Sequence, residues 1–321
     1  MKKFTLTTLA AAILLSACGG SSNNDSNNSE TPVTAPETTV SVGISDAPVN
    51  NLAEVNLVIE QLTFRSANNE DVVFDILDEQ GNPIKVNLLD YTGDAIYQLI
   101  DEQQINPGDY EWIRADIVNG EAGSNFDLTS SVRFNDGSQA PLAVTRKAND
   151  GVGEIQLNDF SLNEGANELV LEFDLNKALL KRGNSNTVYL KPTAVRLENV
   201  ISTFDVSGTV TTELQEACIA DNSDLAPEQG EFKHVVYLYN ASVAEPGDIS
   251  EQSNSPLATA MVDSDNNYEL AFIATGEYKL AYSCLGHIDD AESEDENFSL
   301  YQQQDITVEQ DLTVSFTVTA E

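Results

Sequence analysis

From about Thr39 onward the chain alternates between apolar and polar positions. In Glu168–Leu175, the residues Leu169, Leu171, Phe173 and Leu175 fall on one face, while Glu168, Glu172 and Asp174 share the other with Val170. A period of two with one apolar face predicts a half-buried strand. Val55, Leu57 and Ile59 form a second such face. The apolar parity then shifts to Leu62 and Phe64, which predicts a bulge near Glu60. Val72–Phe74 and Val86–Leu89 flank Glu79-Gln80-Gly81-Asn82-Pro83, a run of turn formers that predicts a hairpin connection. Tyr110–Val118 and Val188–Leu197 predict further strands. Only Asp94–Gln104 carries helical spacing, with Ala95, Ile96, Leu99 and Ile100 on one side and Asn106-Pro107-Gly108 to end it.

The pattern resumes beyond residue 203. Phe204, Val206 and Val210 alternate, with Gly208 on the same face; Tyr268, Leu270 and Phe272 do likewise, as do Val314, Phe316 and Val318. Val235–Tyr239 is apolar on both faces and predicts a central strand covered on each side. Residues 212–232 form a polar insertion. Short strands separated by turn signals predict an all-β protein of two β-sandwich domains, Ig-like or transthyretin-like, with one short helix in the first. The expected domains are 38–200 and 203–321.

Ahead of them lie segments that cannot join a core. Met1-Lys2-Lys3-Phe4 is a basic start, and the apolar stretch Leu6–Leu15 is broken only by Thr7 and Thr8. It is shorter than the roughly 20 residues of a membrane span and reads as a cleavable signal peptide over 1–17. Its end, Leu15-Ser16-Ala17-Cys18, resembles the bacterial lipobox, in which the cysteine thiol is acylated before cleavage just ahead of it. The resemblance makes Cys18 the lipidated N-terminus, and two or three acyl chains hold stably where one would not. An ordinary signal peptide with an incidental cysteine is the alternative. Gly19, rather than Asp, after the cysteine points to the outer membrane in that family pattern. The Ser/Asn/Gly run Gly19–Ser29, within an expected tether of 18–37, lacks apolar area to bury and reads as flexible.

Charge narrows the partners. The chain carries 53 acidic and 15 basic residues for a net of −38, and losing Lys2 and Lys3 with the signal peptide takes it to about −40. Such a surface repels nucleic acid and anionic headgroups. Self-repulsion of this size calls for a saline habitat or bound divalent cations. An apolar content of 41% is enough for packed cores.

Cys218 and Cys284 are the remaining cysteines, and in an exported protein an even pair most simply forms a disulfide. Closing a loop of this length stabilises by about 4 kcal/mol on the chain-entropy model. Cys284 continues the strand face of Tyr278, Leu280 and Tyr282, so its sulfur is expected to point inward. Two buried thiols are the alternative; a metal site lacks histidines at ligand spacing.

Several motifs then recur in a recognisable order. Ser45-Asp46-Ala47-Pro48 follows the first strand. Pro107-Gly108-Asp109-Tyr110 leads into Ile113-Arg114; Phe134-Asn135-Asp136-Gly137, Leu171-Glu172-Phe173-Asp174 and Tyr189-Leu190-Lys191-Pro192 follow. Over about 38–198 this order resembles the bacterial lipoprotein family known as domain of unknown function 4382. The resemblance implies an exported sandwich-like domain and assigns no catalytic residue. Downstream, Val206-Ser207-Gly208-Thr209-Val210, Val236–Tyr239, Ala260–Asp263 through Tyr268, and Gly276–Leu280 resemble the transthyretin-like carboxypeptidase regulatory domain over most of 204–319. That resemblance implies a Greek-key accessory module.

Candidate chemistry is sparse. Asp46 either caps a turn stiffened by Pro48, or offers its carboxylate to a cation or a sugar hydroxyl. Asp263, Asp265 and Asn267 have the spacing that opens a calcium loop, but Tyr268 replaces its glycine and Ala274 its terminal glutamate, so a polar hairpin turn is the better reading. Asp46, Asp263 and Asp265 are therefore weak metal candidates; no cofactor is expected, with Ca2+ the one ion worth testing. The acidic run Asp289, Asp290, Glu292, Glu294, Asp295 and Glu296 reads as a solvated loop, with weak divalent-cation binding the alternative. His234 and His287 are the sole histidines, and no hydrolase, P-loop or dinucleotide fingerprint occurs. Trp112 and the tyrosines offer a sugar-stacking platform or, more simply, core packing. The expectation is a non-enzymatic lipoprotein anchored to the outer membrane, facing periplasm or cell surface, that binds polysaccharide or an envelope protein. A purely structural envelope role and an accessory carbohydrate-active enzyme using paired carboxylates are the rivals.

Overall fold

The strand Thr39–Ala47 lies in the middle of a four-stranded sheet, and its neighbours explain why the first half of the chain closes up. It pairs in parallel with Ala166–Asp174 and antiparallel with Tyr97–Gln104, and Val195–Asn199 completes the sheet. This computed structural model describes residues 37–47, 52–149, 151–183, 185–228, 230–250, 253–293 and 297–318. The expected signal peptide, Cys18, nearly all of the tether, Pro48 and Glu294–Glu296 lie outside the described residues. Residues from Pro36 to Glu321 form one compact unit.

Opposite the four-stranded sheet stands a nine-stranded one. Its backbone is the long strand Leu52–Ser66. The inward residues of the two sheets, Val42, Ile44, Leu57, Phe64, Leu171 and Phe173 among them, make one core. The parity shift at Glu60 is a bulge: the pairing with Gly108–Ile117 slips between Ile59 and Gln61. Two register-shifted halves let one strand feed apolar residues to the same core throughout. Asp71–Asp75 and Ile84–Asn87 both line the same long strand, end to end. Their connection closes as expected, with Leu77 bridging Pro83 and Asp78 accepting the N–H groups of Gln80 and Asn82.

The expected helix over Asp94–Gln104 is instead the edge strand Tyr97–Gln104. Spacing of Ile96, Leu99 and Ile100 fits a helix in isolation, but the free edge of Thr39–Ala47 needs a hydrogen-bonding partner. Ile100 of this strand enters the core while Asp101–Gln104 stay exposed, and Ile96, just ahead of the strand, packs against Val170, Ala271 and Phe272. Gly43 makes room for it, since a Cβ there would lie 2.1 Å from the Ile96 methyl. The short helix of the first sandwich is Leu175–Ala178, capped by Asp174.

The second half is a smaller sandwich of a three-stranded and a four-stranded sheet. Val235–Asn240 is central in the latter, between Ala258–Met261 and Gly276–Ser283, and Val235 to Tyr239 are all buried. Its two faces contribute to two separate clusters, as the unbroken apolar run predicts. The polar insertion begins with a helix, Thr212–Asp221, that buries Leu214 and Cys218 one turn apart. Cys218 is bonded to Cys284, with Cα atoms 6.1 Å apart, and both sulfurs belong to the core. No helix among the described residues is long and apolar enough to cross a membrane.

Candidate functional site

The richest cluster of titratable groups lies where the two sandwiches meet. The parallel register sets Ser45 beside Glu172 and Ala47 beside Asp174, and the antiparallel register sets Glu172 beside Arg196. Alternation turns Glu172 and Asp174 away from the core of the first sandwich. That outer face is covered by the second sandwich from Val170 onward, whereas Glu168 stays exposed. Burying charge costs several kcal/mol per ion unless it is paired, and the pairing here crosses the boundary. Arg196 meets Glu172 at 3.0 Å and Glu198 at 2.7 Å, and also donates to the Phe272 and Ala271 carbonyls. Asp174 accepts the Thr259 N–H at 2.7 Å and its hydroxyl at 2.8 Å. Lys177, one turn further, donates to the Pro256 and Leu257 carbonyls.

Asp46 sits among these groups and is only 2% exposed. Neither of its carboxylate oxygens finds a donor in hydrogen-bonding geometry. Burial, then the negative charges of Glu172 and Asp174, push its pKa well above the ordinary carboxylate range; the nearby Leu175 N–H opposes this only in part. A void of about 10 Å³, bounded by Asp46, Glu172, Arg196 and Thr259, adjoins it, enough for about one water. Asp46 therefore does not cap a turn. The strand runs on through Ala47, and Ser45 serves the loop instead, donating to the carbonyls of Tyr91 and Gly93. Glu172 and Asp174 are also shifted upward, chiefly by burial, against the lowering pull of Arg196 and Lys177 respectively.

The other predicted residues are spent locally. One Asp263 oxygen accepts the N–H groups of Asp265 and Asn267 at 2.9 and 2.8 Å, and Asn266 takes the left-handed conformation with φ of 68°. Asp-x-Asp-x-Asn is thus a tight turn between two strands. Among the described residues no group of three His, Cys, Asp or Glu side chains is placed to hold a metal ion. Over its described part the acidic run leaves Asp290 and Glu292 exposed, as a solvated loop would, but it is tied to the body at several points. Asp289 accepts the Tyr237 hydroxyl and the Ile249 N–H, Glu292 pairs with Arg182 at 3.3 Å, and Lys191 reaches the Ala291 carbonyl. Arg182 and Lys191 belong to the first sandwich, so this loop is a further tie across the boundary.

Tyr110, Tyr237, Tyr239, Tyr268, Tyr278 and Tyr282 are core residues. Trp112 is not. It lies on the outer face of the nine-stranded sheet with the Arg65 and Arg114 guanidiniums 5.0 and 5.3 Å from its ring centre, so cations already occupy the ring that a sugar would stack on. His234 and the Tyr282 hydroxyl are 2.6 Å apart, and the His287 Nε2–H donates to the Leu225 carbonyl.

An open cleft of about 540 Å³ at the boundary is lined by Thr92, Ser207, Thr209, Asp263, Asn267 and Glu269, a set of hydroxyls, an amide and two carboxylates. Burial first, then Asp205 and Asp94, raises the Glu269 pKa. Another, of about 610 Å³, lies within the second sandwich and holds Phe232, His234, Ser264 and His287.

Residues 37–192 match the family described as "Domain of unknown function (DUF4382)". The match falls on the first sandwich and agrees with the resemblance carried by the motif order between Ser45 and Pro192. No curated protein matches the chain in sequence. Among solved structures, the minor pilin GBS52 of Streptococcus agalactiae aligns at 10% identity over 88% of this chain and 98% of its own, with a TM-score of 0.19. The major pilin subunit BcpA of Bacillus cereus gives 9%, 85%, 66% and 0.20. A putative adhesin from Bacteroides ovatus gives 8%, 88%, 94% and 0.17. Scores this low carry no functional weight.

Proposed function

We propose that this chain is an exported lipoprotein, tethered to the outer membrane through Cys18, that serves as a non-catalytic binding or adhesion module at the cell envelope. In this reading residues 38–200 and 203–321 are its two domains, and the second is a transthyretin-like accessory module. The observation that supports it is the hydroxyl-, amide- and carboxylate-lined cleft beside the junction. Ser207, Thr209, Asn267 and Glu269 stand there on outward positions of one sheet, and Thr92 closes the cleft from the first sandwich. Side chains of this kind exchange hydrogen bonds with a polyhydroxylated ligand, and the surrounding negative charge disfavours an anionic one. Polysaccharide is therefore the partner that this chemistry fits. The buried carboxylates nearby are committed to the junction, which fixes both walls of the cleft.

Titration of purified neutral envelope polysaccharide into the lipid-free chain tests this reading. Saturable binding that weakens about tenfold in Glu269→Ala, the loss of one charge-assisted hydrogen bond, is the expected result. Absence of binding, or binding indifferent to Glu269→Ala and Asn267→Ala, would remove the polysaccharide reading. Protease treatment of intact cells, with a periplasmic protein as control, then tells surface display from a periplasmic role.

A further inference from the structure

A different cleft carries a more specific chemistry. It measures about 250 Å³ and lies across the same boundary, with Leu52, Phe134, Leu179 and Val188 from the first sandwich and Met261 from the second. Its polar lining is Asn176, Lys181 and Lys233. No carboxylate lines it, in a chain that has 53.

The two lysines are unusual for what they lack. Thirteen basic residues follow Cys18, and all are described. Ten are tied by their side chains to a carboxylate or a carbonyl: six arginines in ion pairs, and Lys85, Lys177, Lys191 and Lys279 on backbone oxygens. Lys147, Lys181 and Lys233 are the three left over, and two of them share this cleft. Lys181 lies over the Phe134 ring at 5.6 Å. Lys233 is half-buried with no ionic partner, and that burial pulls its pKa down. In so acidic a chain, ammonium groups left unpaired beside apolar surface are complementary to an anion that arrives with apolar surface of its own.

We infer that the cleft between Lys181 and Lys233 binds a small single-chain amphipathic carboxylate, its headgroup between the two ammoniums and its apolar body against Phe134, Val188 and Met261. The occupant is small because ligand clefts run from about 300 Å³ upward. A carboxylate, with one negative charge, suits this chain better than a phosphate monoester with nearly two, because the net charge of −38 repels the second; the lining supplies two point charges and one amide. Each methylene placed against the apolar wall adds hydrophobic affinity. This site goes beyond the glycan reading and stands independently of it, since the residues of the two clefts have only Met261 in common.

The test is a titration of decanoate, below its micelle concentration, into the full-length chain carrying Cys18→Ser, which keeps acyl chains out of the assay. Decanoate should bind saturably at one site, while decanol and acetate, which each lack half the chemistry, should bind at least tenfold more weakly. Lys233→Gln should weaken binding about tenfold, the cost of one charged hydrogen bond. Lys181→Gln with Lys233→Gln should abolish it, and Lys147→Gln should leave it unchanged. Because neither ammonium has an ion-pair or hydrogen-bond partner to lose, the melting temperature of these variants should stay close to that of the parent. Met261→Trp, which fills the cleft, gives a charge-neutral check and should also abolish binding. No saturable decanoate binding, equal binding of decanol, or binding unchanged in the double lysine variant would overturn the assignment.

Discussion

The two outer faces of the first sandwich carry nearly the same sequence chemistry and meet opposite fates. On the nine-stranded sheet, Arg65 pairs with Asp71, Arg114 with Asp116 and Glu154, and Arg146 with Glu154, in a ladder at the surface around Trp112. On the four-stranded sheet, Glu172, Asp174 and Arg196 alternate along their strands in the same way, yet the second sandwich buries them. The ladder pairs keep part of their water and are screened by it, so each contributes little. The junction groups have lost their water, so each depends on its partner, and removing one partner costs about 3–5 kcal/mol. Burial, rather than the identity of the charges, decides which face holds the molecule together.

This contrast can be broken at several points. Arg196→Ala should be the most damaging change, at about 3–5 kcal/mol, because it strands Glu172 and removes the donor to the Ala271 and Phe272 carbonyls; urea unfolding measures it. Asp174→Ala should cost about 2 kcal/mol by leaving the Thr259 N–H and hydroxyl unsatisfied inside the boundary, again read from the urea midpoint.

Asp46→Asn should act in the opposite direction. Its carboxyl pKa is raised in the folded state, so the folded protein holds that proton more tightly than the unfolded chain does. The contribution of Asp46 is therefore favourable at low pH and is lost as pH rises through the raised value. The asparagine variant should be more stable than the parent by about 1 kcal/mol or more at pH 8, with the gain shrinking on acidification and vanishing below the ordinary carboxylate value of about 3.9. Thermal melts of both proteins from pH 8 to pH 3.5 check this, and a gain that grows toward low pH would contradict it. Arg114→Ala, on the half-buried part of the ladder, leaves Glu154 paired with Arg146 and should cost less than Arg196→Ala, about 1 kcal/mol, part of it lost in 1 M salt. If it rivalled Arg196→Ala, the contrast between the two faces would fail.

Much of the fold was legible because alternation reports local burial. The bulge at Glu60, the doubly covered strand Val235–Tyr239, the inward sulfur of Cys284 and the turn at Asp263 each follow from residues within a few positions of one another. What stayed hidden depends on a partner distant in sequence. Asp94–Gln104 has helical spacing because Ile96, ahead of the strand, and Ile100, within it, pack into two different clusters, and only the free edge beside Val42 explains the pairing. The polar insertion concealed a helix because just Leu214 and Cys218 face inward. The burial of Glu172 and Asp174 stayed hidden because no local pattern reveals that the second sandwich covers their face. The one available signal was Val170, an apolar residue on an otherwise acidic face, and it is where the burial begins. Asp46 was singled out from its motif, but its place beside Glu172 and Arg196 comes from three strands joined across more than a hundred residues.

Calorimetric unfolding of the parent chain and of Arg196→Ala tests most directly whether the buried junction makes the two sandwiches one body. The parent should melt in a single transition whose calorimetric and van't Hoff enthalpies agree. Arg196→Ala should separate it into two, with the smaller sandwich, stapled by Cys218–Cys284, unfolding on its own. Two transitions in the parent, or a single one unmoved by Arg196→Ala, would contradict the account.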